Sequence, residues 1–81
     1  MVSAYILVQT EIRKAHTVTV AARLLPGVES ADDVTGPYDV IIQVSAASVD
    51  GLGNSVVSHV QAIPGVTRTL TCPIVHIDPD A

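Results

Sequence analysis

Apolar and polar residues alternate along residues 2–9, with Ala4, Ile6 and Val8 on one side and Tyr5, Leu7 and Gln9 on the other. A period of two predicts a strand, here one carrying apolar groups on both faces. Residues 11–25 give a mixed signal. Ala15, Val18, Ala21, Ala22 and Leu25 fit a helical stripe, whereas Thr17-Val18-Thr19-Val20 is β-branched and suits a strand. The unbroken length and the Pro26-Gly27 stop favour a helix. Residues 28–35 read as a second strand, acidic at Glu29, Asp32 and Asp33 as befits a sheet edge.

Gly36-Pro37 turns the chain into a third strand, residues 38–45, whose density of apolar groups at Val40, Ile41, Ile42 and Val44 predicts a central strand buried on both sides. Ser48 suits a helix N-cap, and Asp50 complements the dipole of the first turn. Val49, Leu52, Val56, Val60 and Ile63 then recur at helical spacing, although Gly51 and Gly53 weaken the start. Residues 66–72 form the last strand, with Thr67, Thr69 and Thr71 on one face and Val66, Arg68, Leu70 and Cys72 on the other. Residues 76–81 read as a short tail.

A breaker signal occurs twice, as Leu25-Pro26-Gly27-Val28 and Ile63-Pro64-Gly65-Val66. Each copy ends a helical stretch and opens a strand. The order is therefore β-α-β-β-α-β, the split βαβ pattern. Right-handed crossovers put both helices on one face of a four-stranded antiparallel sheet, with the first and third strands central. The expected class is α+β, ferredoxin-like. Tyr5, Leu7 and Ile41 then lie on faces the helices do not cover, which predicts sheet-to-sheet pairing of two subunits.

Size and charge narrow the function. The 81 residues make one domain, 1–81, with Tyr5 and Tyr38 as the aromatic residues and Cys72 as the sole cysteine, so an oligomer rather than a disulfide is the expected source of extra burial. No apolar run could span a bilayer and no leader pattern opens the chain, which points to a cytoplasmic setting. The net charge is −4 and the basic residues are Arg13, Lys14, Arg23 and Arg68. Such a balance argues against direct nucleic-acid binding.

Few constellations suggest chemistry. His16, His59 and His76 fall on different elements without ligand-like spacing, and no cofactor or metal is implied. Cys72 sits in an apolar stripe before Pro73, which favours an inert thiol over a Cys-His nucleophile. Gly51-Leu52-Gly53 lacks the lysine and spacing of a phosphate cradle. Asp32-Asp33 fits a solvated edge strand better than a catalytic pair. The turn Thr35-Gly36-Pro37-Tyr38-Asp39 is richer, combining free backbone amides with a phenol and a carboxylate. It could hold a small zwitterion, with the hydroxyls of Thr67, Thr69 and Thr71 nearby. An ordinary hairpin turn is the plain alternative.

Residues 34–41, Val-Thr-Gly-Pro-Tyr-Asp-Val-Ile, and residues 60–71, Val-Gln-Ala-Ile-Pro-Gly-Val-Thr-Arg-Thr-Leu-Thr, resemble the effector domain of Lrp/AsnC transcription regulators. The similarity runs from about Ala4 to Pro73. It implies a ferredoxin-like subunit, a dimer formed through its sheet, and dimers assembled into a ring, often an octamer. It also implies an amino-acid effector bound in clefts between dimers. Carried over by motif, the contact candidates are Gly36, Tyr38 and Asp39 on the turn, Gln61 in the second helix, and Thr69 and Thr71 on the last strand. Two departures stand out. The chain starts directly at the first strand, without the helix-turn-helix of most members, so DNA binding does not carry over. Glu11-Ile12-Arg13-Lys14 also differs from the Glu-Pro-Gly-Lys opening often seen before the first helix.

The expectation is an oligomeric, non-enzymatic amino-acid-binding module that acts in regulation, with full-length relatives as candidate partners. Two rivals remain: a dimeric ferredoxin-like barrel enzyme acting on a small organic substrate, and a purely structural assembly domain.

Overall fold

A computed structural model describes residues 1–76. The expected tail lies outside the described residues from Ile77 onward. The elements run β1 (Val2–Thr10), α1 (Ala15–Arg23), β2 (Val28–Asp33), β3 (Val40–Ala46), α2 (residues 49–61) and β4 (Val66–Pro73). Four antiparallel strands form one sheet in the order β2-β3-β1-β4, the ferredoxin-like arrangement.

Register divides the side chains between two faces. Val8 lies opposite Val40 on one side and Thr69 on the other, and Ile6 opposite Ile42 and Thr71. These residues face the helices, and Ile6, Val8, Val40 and Ile42 are fully buried there with Val18 and Val60. Leu7 lies opposite Ile41 and Leu70, and Tyr5 opposite Gln43 and Cys72, on the face without helices. The third strand is central as expected, but only its helix-facing side chains are fully buried. Ile41 is half-buried in the single chain because nothing covers its face.

The β-branched run in α1 resolves as helix because burial decides it. Val18, Thr19 and Ala22 turn inward, and Leu24 and Leu25 close the last turn on Ala21 and Ala22. Both breaker glycines take left-handed conformations, φ +88° at Gly27 and +100° at Gly65. A Cβ at Gly27 would also come within 2.7 Å of Val56, so α2 packs directly on that turn. Arg13 adopts φ +67° without being a glycine, in the segment that departs from Glu-Pro-Gly-Lys.

The first helix covers only Ala15–Arg23 of the expected 11–25, and two strand boundaries and the winding of the second helix also differ from the sequence reading. The hairpin between β2 and β3 closes where the Val34 amide donates to the Asp39 carbonyl (2.9 Å), leaving 35–38 as the loop tip rather than strand. In α2, Leu52–Val57 winds as a π-helix between α-helical turns. Gly51 and Gly53 make the wider winding easy, and the Ser58 hydroxyl donates to the Gly53 carbonyl at 3.1 Å. Leu52, Val56, Val60 and Ile63 face inward, while Val49, the first residue after the N-cap, is exposed. Ser48 caps the helix as expected, its hydroxyl accepting from the Gly51 amide at 3.0 Å.

Candidate functional site

The end of the sheet at which β1 finishes and β3 and β4 begin gathers the sequence candidates. Gly36 sits at φ +134° with no atom within 4 Å of where a Cβ would project. Glycine is needed there for backbone conformation, not for space. Among the described residues, no group accepts from the amides of Thr35, Gly36 or Tyr38. The tip therefore carries free donors on exposed backbone, next to the half-buried Tyr38 and Asp39.

Asp39 is anchored by β1. Its amide donates to the Val8 carbonyl at 2.9 Å. One carboxylate oxygen, Oδ2, accepts from the Thr10 amide at 2.8 Å and from the Thr10 hydroxyl at 3.4 Å. Among the described residues, no donor engages Oδ1. The Gln9 side-chain amide donates to the Pro37 carbonyl at 3.0 Å, tying the loop tip to the same strand. On the other side of β1, the Thr67 hydroxyl donates to the Gln9 carbonyl at 3.1 Å, and the Glu11 amide to the Gly65 carbonyl at 2.8 Å. Gln9, Thr10 and Glu11 thus bridge the 35–39 turn to the start of β4.

Gln61 and Thr69 form a second group. The Gln61 side-chain amide donates to the Thr69 hydroxyl at 3.1 Å, with Thr71 two residues along the same face. β3 and β4 flank β1, so the two groups stand about 10 Å apart across two strand spacings. No hydrogen bond joins them. The described residues of the single chain enclose no pocket. They also bring together no cluster of three or more metal-ligating side chains.

Chemically, the turn offers donors to an anion and, at Asp39 Oδ1, an acceptor to a cation. A carboxylate and an ammonium on one small molecule match that pairing. Sequence reasoning found the turn but missed Gln9 and Thr10. Their only signal was a polar pair ending an apolar strand.

A separate polar cluster ties α1 to β2. Asp33 accepts hydrogen bonds from the buried Thr19 hydroxyl and, through Oδ2, meets His16 Nδ1 at 2.9 Å. The Thr19 hydrogen bond, then that of His16, holds the Asp33 carboxyl below the usual aspartate value. Arg23 Nε donates to the Ala31 carbonyl at 3.0 Å, clamping the same edge.

Comparison with known proteins gives a consistent picture. The sequence profile of the Lrp/AsnC ligand binding domain matches residues 3–77. The structure of TTHA0845 from Thermus thermophilus is 29% identical, with a TM-score of 0.87, covering 98% of this chain and 99% of that one. The transcriptional regulator NMB0573 of Neisseria meningitidis, solved with L-Met, shares the fold at a TM-score of 0.78 and 21% identity, over 93% of this chain and 50% of that one. A homocitrate synthase of Sulfurisphaera tokodaii is 33% identical over 72 residues, 86% of this chain but only 15% of that enzyme's length. Among the described residues, no helix is long and apolar enough to cross a membrane.

Proposed function

We propose that this chain, which belongs to the Lrp/AsnC ligand-binding domain family, is an oligomeric regulatory module that senses an amino acid. The observation that carries the reading is the 35–39 turn. Among the described residues, the amides there have no acceptor and sit beside a carboxylate with one oxygen occupied by Thr10 and the other without a donor. In this reading the amides near Gly36 hold the ligand carboxylate, and Asp39 Oδ1 holds its ammonium. Tyr38 flanks the ligand, while Gln61, Thr69 and Thr71 contribute from a neighbouring dimer.

Sharing between subunits accounts for the open geometry of the single chain, in which the two candidate groups lie apart. The apolar face of β1, β3 and β4 supports a sheet-to-sheet dimer, and four such dimers form the octameric ring. The module works in the cytoplasm and transmits occupancy by co-assembling with full-length relatives. The L-Met complex of the Neisseria regulator is in keeping with an amino-acid ligand.

The homocitrate synthase relative favours a second reading of the output. There the module alters the activity of a metabolic enzyme rather than a DNA-binding regulator. Both readings share the ligand site. Thermal-shift screening against the twenty amino acids, with mass measured in solution, tests it. A concentration-dependent rise in melting temperature with one or a few amino acids, on an oligomer, is expected. No shift with any of them, or a monomer at micromolar concentration, overturns the reading.

A further inference from the structure

The turn that follows β1 holds a backbone conformation its residues do not favour. The Lys14 amide donates to the Glu11 carbonyl at 3.0 Å, closing a four-residue turn over 11–14. Of its two central residues, Arg13 is left-handed, at φ +67°, and Ile12 is not. That is the pattern of a type II turn, which favours proline at the first central position and glycine at the second. Isoleucine and arginine stand there instead, and the arginine carries a strain that glycine would remove. Neither side chain offsets that strain within the chain. Ile12 is 88% exposed, and the exposed Arg13 joins no ion pair or side-chain hydrogen bond among the described residues.

The place of this turn says what its side chains meet. Thr10, just before it, holds Asp39 of the 35–39 turn, and the Glu11 amide bonds Gly65 at the start of β4. A Cβ at Gly65 would also come within 3.1 Å of the Lys14 Cβ, so both ends of the turn are fastened. Its tip leaves the end of β1, the strand that lies between β3 and β4 and so between the two groups of candidate ligand contacts. In the reading above, those groups come together only where two dimers meet. A surface completed there by a second copy takes in the tip that stands between its halves. Charge points the same way. Arg13 and Lys14 are two of the four basic residues in a chain of net charge −4, so the tip is attracted to a copy that is acidic as a whole.

We propose that the Ile12-Arg13 tip is the docking element between dimers. It packs against a second copy of this chain, away from the sheet face, and closes the shared ligand cleft. This rests on the shared-site reading above and assigns residues to the contact that reading needs. Ile12 supplies the apolar contact, and Arg13 supplies the charge that selects the partner surface. The backbone strain is kept because the side chain it carries is used in the assembly.

Restoring the residues the turn favours tests this in the full chain. Ile12→Pro with Arg13→Gly keeps the bend, removes both side chains and relieves the strain. Read on protein diluted to the dimer, the resistance of this variant to denaturant is expected to equal or exceed that of wild type. Association of dimers, followed by sedimentation velocity, is expected to weaken about tenfold or more. A firmer fold with weaker assembly is a result that a merely structural turn does not give. Ile12→Asp, which leaves Arg13 in place, is expected to weaken association likewise, with folding intact by circular dichroism, and it alone decides where proline disturbs the turn. If Ile12→Asp assembles beyond the dimer as wild type does, the docking tip is overturned while the shared-site reading stands. If wild type itself never passes the dimer, that reading falls and the docking tip falls with it.

Discussion

Asp39 and Thr10 are joined twice, the Thr10 amide and hydroxyl both donating to the same carboxylate oxygen at 2.8 and 3.4 Å. One oxygen of Asp39 therefore fixes the hairpin to the end of β1, while the other meets no donor among the described residues. The two roles separate by substitution. Asp39→Ala removes a charge-assisted acceptor and is expected to cost about 1–3 kcal/mol of stability as well as ligand binding. Asp39→Asn keeps an acceptor for the Thr10 amide but loses the charge. It is expected to hold stability to within about 1 kcal/mol of wild type while weakening amino-acid affinity about tenfold. Denaturant unfolding beside calorimetry reads both quantities. Equal affinity in the wild type and Asp39→Asn would remove Asp39 from the site.

Arg13 provides a test confined to the backbone. A left-handed residue with a Cβ costs about 1–2 kcal/mol, and glycine avoids that cost. Arg13→Gly is expected to stabilise the fold by about 1 kcal/mol, after allowing for the greater freedom of glycine in the unfolded chain. A loss of stability would mean that the arginine side chain makes a contact outweighing its backbone strain.

The Asp33 cluster makes acid stability depend on a hydroxyl. Because the folded carboxyl is held below its unfolded value, its contribution is present above the unfolded pKa, near pH 4, and is lost as pH falls through the lower folded value. Thr19→Val removes the main cause of the lowering. The carboxyl-carbon titration of Asp33, followed by NMR, is expected to move upward in that variant, and the stability difference from wild type to shrink below about pH 4. An unmoved titration would assign the lowering to His16 instead.

Much of this fold is legible from punctuation. The two Pro-Gly signals mark both helix ends, and alternation in residues 2–9 places Ala4, Ile6 and Val8 on the helix-covered face. What is hidden is whatever depends on long-range register. Thr10 meets Asp39 across 29 residues and Gln9 meets Pro37 across 28, contacts that no local spacing encodes. The bond between Gln61 and Thr69 spans only the second breaker, which is why motif reading found both. The π-helical winding of α2 escaped because Leu52, Val56, Val60 and Ile63 keep a helical spacing.

Charge sets the expectation for nucleic acid. With a net charge of −4 and four basic residues, the 81-residue chain has little to offer a phosphate backbone. Electrophoretic mobility of duplex DNA is expected to be unchanged by micromolar protein at physiological salt. A salt-sensitive submicromolar shift by the purified chain would contradict this, whereas recruitment through a DNA-binding relative would not.

Native mass spectrometry of the assembled protein with each amino acid bears most directly on the central claim, that an oligomer senses an amino acid. The expected spectrum shows one or a few amino acids adding their own mass to the oligomer, up to one per subunit, with none retained by monomer made by Leu70→Asp, a charge placed on the exposed sheet face. An oligomer that retains no amino acid at millimolar concentration, or a monomer that binds one as tightly as the oligomer does, would contradict the account.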